Sequence, residues 1–172
     1  MKHQLKFGAV LLTIALLMTA AVAKTYTSKK GYSIAAPSGW TIQSNDSGNP
    51  EAIFIDKPIN GIRPNINVVV TPSAKGQTLA QLKTQINSLY PRVFNSYKKL
   101  AQGNTKLGGV AGIYITAIHK MGSPKALLRM HQVFVLRKDS AYIFTCTSSD
   151  ADYSKSDAAF KNALASVKWI KL

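Results

Sequence analysis

Residues 110–147 read VAGIYITAIHKMGSPKALLRMHQVFVLRKDSAYIFTCT, and the way this stretch divides decides the fold. Val110 to Lys120 and Ala126 to Lys138 are long runs rich in β-branched and aromatic residues, and Met121-Gly122-Ser123-Pro124-Lys125 between them has the composition of a hairpin loop. Folding about Ser123 sets Lys120 opposite Ala126, His119 opposite Leu127 and Ile115 opposite His131. A third strand, Ala141 to Thr147, follows a tight Lys138-Asp139-Ser140 turn. The middles of these strands are apolar on both parities: Ile113 and Ile115 alternate with Tyr114 and Ile118, and Val133 and Val135 with Phe134 and Leu136. A sheet with one wet face alternates more cleanly, so the centre of this one is expected to be covered on both sides.

Upstream, Tyr32, Ile34 and Ala36 alternate in a short strand that Pro37 ends, Ser38-Gly39 turns the chain, and Trp40-Thr41-Ile42 resumes it. Ser44 to Pro50 reads as a loop, Ala52 to Ile55 as a short strand, and Asn65 to Thr71 as a firmer one with Ile66, Val68 and Val70 on one face. Thr78 caps a helix with Gln81 as its capping-box partner, and Leu79, Leu82, Ile86, Leu89 and Val93 form one apolar stripe predicted to be core. Pro91 is expected to stop or kink that helix. Gly103 to Gly109 reads as a glycine-punctuated connection. Ser154 with Asp157 fits a second capping box, ahead of a stripe of Phe160, Leu164 and Val167, and Trp169 with Ile170 is expected to tether the end of the chain. The expected architecture is α+β: a mainly antiparallel central sheet of about six strands with helices on its faces.

The first 23 residues read as an export signal. Lys2 and Lys6 precede an apolar run beginning at Phe7, and Ala21-Val22-Ala23 supplies small residues before Lys24, so cleavage is expected after Ala23. The 17 residues from Phe7 to Ala23 make about 25 Å of helix against a hydrocarbon core of about 30 Å, which favours cleavage over a retained anchor. A single domain over residues 24–172, in a periplasmic or otherwise extracytoplasmic compartment, follows. Cys146, the one cysteine, lies in a β-rich run and is expected to be a buried hydrophobe, which leaves no internal disulfide.

Charge is partitioned along the chain. Residues 24–56 carry three Lys and three acids, and residues 139–172 carry four Lys and four acids. The 82 residues from Lys57 to Lys138 hold 13 basic side chains and no acid at all. Such a segment solvates a secreted protein, and it also suits an anionic partner. Lys98, Lys99, Lys120, Lys125, Arg129, Arg137 and Lys138 are the expected contacts for an anionic envelope lipid, a polysaccharide or an acidic protein surface. Export makes nucleic acid an improbable partner.

The catalytic motifs are missing. No G-x-S-x-G elbow or phosphate-binding glycine loop occurs, Glu51 lies in an ordinary strand, and no two of the seven acids are singled out by spacing. His119 and His131, the two histidines outside the signal, share a face in the hairpin register above but lie about 13 Å apart, too far to hold one metal. Asp150, Asp152 and Asp157 lack calcium-loop spacing and suit helix capping instead. No metal and no cofactor is expected. Exposed Trp40, Tyr90, Tyr97 and Tyr153 are candidate ligand contacts.

The strand Tyr32-Ser33-Ile34-Ala35-Ala36-Pro37-Ser38-Gly39-Trp40, the strand Asn65 to Val70, the helix from Thr78, the three strands through Thr147 and the helix from Phe160 to Trp169 together resemble the PsbP-like superfamily. That group holds the extrinsic photosystem II subunit PsbP and bacterial envelope proteins of the DcrB type. The resemblance spans nearly all of residues 24–172, with Pro37-Ser38-Gly39-Trp40 as its sharpest motif and a fold corner in kind. It implies a PsbP-like α/β/α sandwich and binding or assembly roles instead of catalysis. The photosystem subunit's part in retaining calcium and chloride does not transfer, because no motif residue carries it and this chain is poor in acids. The function expected is that of an exported, non-enzymatic interaction protein docking through its basic segment. The alternatives are a small-ligand or stress-responsive envelope module with a pocket between sheet and helices, and an extracytoplasmic enzyme.

Overall fold

The computed structural model describes residues 24–45, 48–121 and 126–171. The export signal therefore lies outside the described residues, apart from Lys24 after the expected cleavage point, as does Lys125. Seven antiparallel strands form the central sheet in the order β3-β4-β5-β9-β8-β7-β6, one more than expected. They are β3 (Thr41–Ser44), β4 (Ala52–Ile55), β5 (Asn65–Pro72), β6 (Asn95–Leu107), β7 (Val110–Met121), β8 (Ala126–Arg137) and β9 (Ser140–Ser149). A second sheet of three strands joins β1 (Thr25–Ser28), β2 (Tyr32–Ala35) and β10 (Lys168–Trp169), so the Tyr32 strand belongs to this layer and not to the central sheet. The helices are α1 (Leu79–Val93) and α2 (Tyr153–Ala165). With α1 on one face of the central sheet, and α2 and the small sheet on the other, the fold is the expected α/β/α sandwich.

The face under α2 is dry. Val133 and Val135 of β8, Phe144 and Cys146 of β9 and Ile66 and Val68 of β5 point into it and are buried. Phe144 meets the ring of Tyr32 at 5.5 Å, and Trp169 meets Tyr142 at 5.0 Å. The tether at Trp169 is as expected: its indole donates to the Leu107 carbonyl at 2.7 Å, and Arg137 donates to the carbonyls of Gly31 and Ile170. Pro37 to Trp40 is the corner anticipated, with Gly39 at φ +80°, the Trp40 amide bonded to the Pro37 carbonyl and the Trp40 ring packed edge-on against Phe160. Trp40 is thus core, and so is Tyr153, neither of them an exposed ligand contact.

Glu51 is not an ordinary strand residue. It lies just before β4, 1% exposed, and its carboxylate accepts from the hydroxyls of Tyr26 and Ser28. At α2 the expected Ser154/Asp157 box does not form. Asp152 occupies the N-cap without a side-chain cap bond and accepts instead from Asn60, Ser149 and Lys155, while Asp157 pairs with Lys161. Tertiary partners outcompete the local cap here.

The hairpin register differs from the one predicted by a single residue. Pairing continues to Met121↔Ala126, which puts His119 opposite Leu128 and His131 opposite Thr116. A slip of one reverses faces, so the two histidines stand on opposite sides of the sheet. The stretch read as a connection is the edge strand β6, paired to β7 down to Leu107↔Val110. Its Gly103 lies beneath the Tyr114 ring, where a Cβ would come within 2.8 Å of the ring carbon Cε1. The turn to β7 uses Gly108 at φ +54°, where a Cβ would sit 2.7 Å from the Val167 carbonyl.

Candidate functional site

On the other face the cross-strand partners line up in rows. Val69, Ile143, Phe134 and Ile113 make one row, and Asn67, Thr145, Gln132 and Ile115 the next. α1 packs Ile86 against Ile113, Ile115 and Phe134. It begins as predicted: the Thr78 hydroxyl accepts from the Gln81 amide, and the Gln81 side chain accepts from the Thr78 amide. The helix also runs on through Pro91 to Val93, because a proline within the last turn forfeits only one bond and the Phe94 amide still reaches the Tyr90 carbonyl. The stripe is only partly core. Ile86 is buried, whereas Leu89 and Val93 are 51% and 56% exposed.

Past the helix, the sheet floor continues through the row Asn65, Thr147, Met130 and Ala117 and then the pair Leu128 and His119. A groove of about 620 Å³ lies over it, walled by Tyr90 and Phe94 at the end of α1 and by Gly61, Ile62 and Arg63 opposite. Two hydrogen bonds and a ring contact set the back of this site. Tyr90 donates to Gln132 Oε1 at 2.6 Å, Gln132 Nε2 donates to the Thr145 hydroxyl at 3.0 Å, and the Phe94 ring rests on His119 at 4.6 Å. The Gly61–Arg63 wall is held in place as well: Ile59 and Ile62 bridge, the Asp56 amide reaches the Pro64 carbonyl, and the Asn60 amide group donates to Asp152 at 3.0 Å. Hydrogen bonds from Lys155, Asn60 and Ser149 hold the Asp152 carboxyl below the usual carboxylate range, so that anchor is ionised near neutral pH.

The lining grades from more polar to more apolar, with His119, Gln132, Thr145 and Thr147 interspersed. Asn65, Asn67 and Arg63 gather at β5, while Leu128, Met130, Phe94 and the exposed Met121 gather at β7 and β8. A second cavity of about 270 Å³ continues past β5 over Ile53 and Ile55 and shares Arg63, Asn65 and Asn67. The ionisable side chains of the main groove are Arg63, His119 and Tyr90, with no carboxylate among them. Burial raises the Tyr90 phenol well above its ordinary value, so it stays neutral and donates. The His119 ring has no acid to orient it, its nearest polar neighbour being the Lys120 carbonyl at 3.4 Å. This arrangement can bind and orient a ligand.

The basic residues predicted to meet an anionic partner fall into separate places. Lys98 and Arg129 are the cross-strand neighbours of Ile118 on the α2 face, and Lys120 points to that same side. Lys99 faces the other way and donates to Asn87 of α1 at 2.9 Å. Arg137 and Lys138 lie at the far end of β8, about 26 Å from Arg129 by strand rise. Two more of the seven also have internal partners: Arg129 pairs with Asp150 at 2.6 Å and lies over the Tyr153 ring, and Arg137 lies over Trp169. Arg129 is therefore joined to the start of α2 through Tyr153. Tyr90 borders the groove as a ligand contact would, whereas Tyr97 packs against it from β6. On the α2 face His131 bonds Thr116 at 2.9 Å, and burial lowers its pKa. Cys146 is buried and free, with its thiol pKa pushed up by burial, as its apolar run implied.

Among the described residues no group of three or more His, Cys, Asp and Glu is placed to hold a metal, and no helix is long and apolar enough to cross a membrane. The fold and groove together define a PsbP-like sandwich with a ligand-sized cavity on its α1 face. No known family profile matches the sequence, and no curated protein matches it either. Solved structures do match in fold. A Pseudomonas aeruginosa protein of unknown function aligns with a TM-score of 0.61 at 18% identity, over 83% of this chain and 94% of that one. Cyanobacterial PsbP from Synechocystis aligns at 0.59 and 14% identity, over 94% and 98%. LpqN, involved in cell envelope biogenesis of Mycobacterium tuberculosis, aligns at 0.61 and 10% identity, over 87% and 86%. The fold is the one the PsbP-like resemblance implies.

Proposed function

We propose that the protein is an exported, non-enzymatic binding protein of the cell envelope whose ligand site is the groove beside α1. One observation carries this reading: a preformed groove of about 620 Å³ whose floor sets Leu128, Met130 and Ile143 among Asn65, Asn67, Thr145 and Thr147, within the size range of small-molecule sites. The envelope location rests on Lys2, Lys6 and the Ala21-Val22-Ala23 cleavage pattern. A structural neighbour described as acting in cell envelope biogenesis agrees with it. Titration with Nile red, a neutral apolar dye, tests the groove. Saturable binding that a bulky Thr147→Trp substitution removes is the expected result, and binding unchanged by that substitution refutes the site. Intact mass of protein recovered from the envelope tests export, since a chain beginning at Lys24 is expected and one beginning at Met1 rules out cleavage.

The acid-free segment from Lys57 to Lys138 favours a second, compatible reading, in which the protein docks on an anionic envelope surface. Lys98, Lys120 and Arg129 are its proposed contact at one end of the sheet, Arg137 and Lys138 at the other, and Lys99 on the α1 face, together with Lys125, which lies outside the described residues. Binding to anionic vesicles that weakens with salt, and is absent on neutral vesicles, is the expected outcome. Equal binding to both refutes it.

A further inference from the structure

We propose that the groove takes a single-chain fatty carboxylate, with its alkyl chain lying across β9, β8 and β7 and its carboxylate at Arg63. The inference rests on the groove being the ligand site and adds the chemistry of what enters. The lining grades along the groove: Leu128, Met130, Phe94 and Met121 offer methyl, thioether and ring surface toward β7 and β8, beside His119; Arg63 and Asn67 offer donors at β5, and Thr145 and Thr147 stand between them. From β5 to β7 there are three inter-strand spacings, about 14 Å, the reach of one extended chain and not of a globular polar metabolite.

Charge selects the head group. Arg63 is exposed, makes no ion pair among the described residues, and stands where the two cavities meet. The Asn65 side chain donates to the Arg63 carbonyl at 3.1 Å and fixes the backbone that carries the guanidinium. A guanidinium matches a carboxylate with two parallel hydrogen bonds, and one cation balances one negative charge. With no acid among the described lining residues and the Tyr90 phenol neutral, a cationic head finds no carboxylate to balance its charge and meets the like charge of Arg63.

Calorimetric titration of the protein with laurate, lauryl alcohol and lauryltrimethylammonium, each below its aggregation concentration, tests this, alongside displacement of Nile red. Laurate is expected to bind about tenfold more tightly than the alcohol, the trimethylammonium compound most weakly, and Arg63→Gln to erase the preference for laurate. Laurate displacing the dye from the unaltered protein places the chain in the groove without relying on a variant. Equal affinity for laurate and the alcohol, or a preference that survives Arg63→Gln, overturns the carboxylate assignment while dye binding leaves the groove standing. If neither dye nor laurate binds, the groove reading falls and this inference with it.

Discussion

The two faces of the central sheet are built from alternate residues of the same strands and end in opposite states. Under α2, β9 contributes Tyr142, Phe144 and Cys146 to a continuous aromatic and aliphatic core. Under α1 the same strand contributes Ile143, Thr145 and Thr147, of which α1 covers the first, and the other two border the groove. A helix and a second sheet, which includes the last strand, close one face. One helix of 15 residues covers part of the other. Stability is thus concentrated on the first face, which leaves the second free to hold something else.

Adjacent residues give the sharpest test of that division. Phe144→Ala is expected to cost about 3–5 kcal/mol in urea unfolding, and Ile143→Ala, one residue away on the groove face, about 1–2 kcal/mol. Equal losses would break the comparison. Next in size is Glu51→Ala, which removes the buried acceptor of the Tyr26 and Ser28 hydroxyls and is expected to cost about 2–3 kcal/mol. Glu51→Gln, which keeps an acceptor, should cost less, and a larger loss for Gln than for Ala would refute the hydrogen-bond account.

A pH effect follows from His131. Its folded pKa lies below the ordinary value near 6.5, with burial the main cause, Asp157 opposing and Lys161 reinforcing. The neutral ring is therefore the form the fold prefers. Stability from this residue is complete above about pH 6.5 and is lost as pH falls from there through the lower folded value, since the unfolded chain takes up the proton first. Thermal unfolding across pH 7.5 to 5 should show the decline, and His131→Gln should flatten it. The smallest effect belongs to Lys98→Gln and Lys120→Gln, exposed positions without ion pairs among the described residues, each expected to change stability by less than about 0.5 kcal/mol. Arg129→Gln should cost more than either, because it gives up Asp150 and the face of Tyr153.

Much of the fold is legible in the sequence because its periods are strong. The β7–β8 pair, β9, β5 and the Thr78 cap all follow from alternation or capping chemistry. β6 is not legible, because an edge strand with Ser96 at positive φ and two register shifts needs no alternating pattern and carries Lys98, Lys99 and Lys106 to solvent. The hairpin register slips by one because loop composition does not say which residue ends pairing. The groove is assembled from β5, α1, β7, β8, β9 and a loop, so no local motif announces it. A trace of it is present all the same: Asn65 and Asn67 alternate with Ile66 and Val68, and Thr145 and Thr147 with Phe144 and Cys146. Polar residues at a constant parity in otherwise apolar central strands mark a face that the core does not fill.

The three-stranded sheet has a consequence for how the chain reaches this state. β2 lies between β1, which precedes it directly, and β10, whose Lys168 and Trp169 pair with Ser33 and Tyr32. A chain emerging from its N-terminal end presents β2 with one edge open and the Tyr32 ring without Phe144 or Tyr142 until those later segments arrive. The layer that seals the dry face therefore closes late in vectorial delivery, and pairing of such high sequence separation is slow to form. Closure of this layer coincides with the arrival of the segment that ends in Trp169.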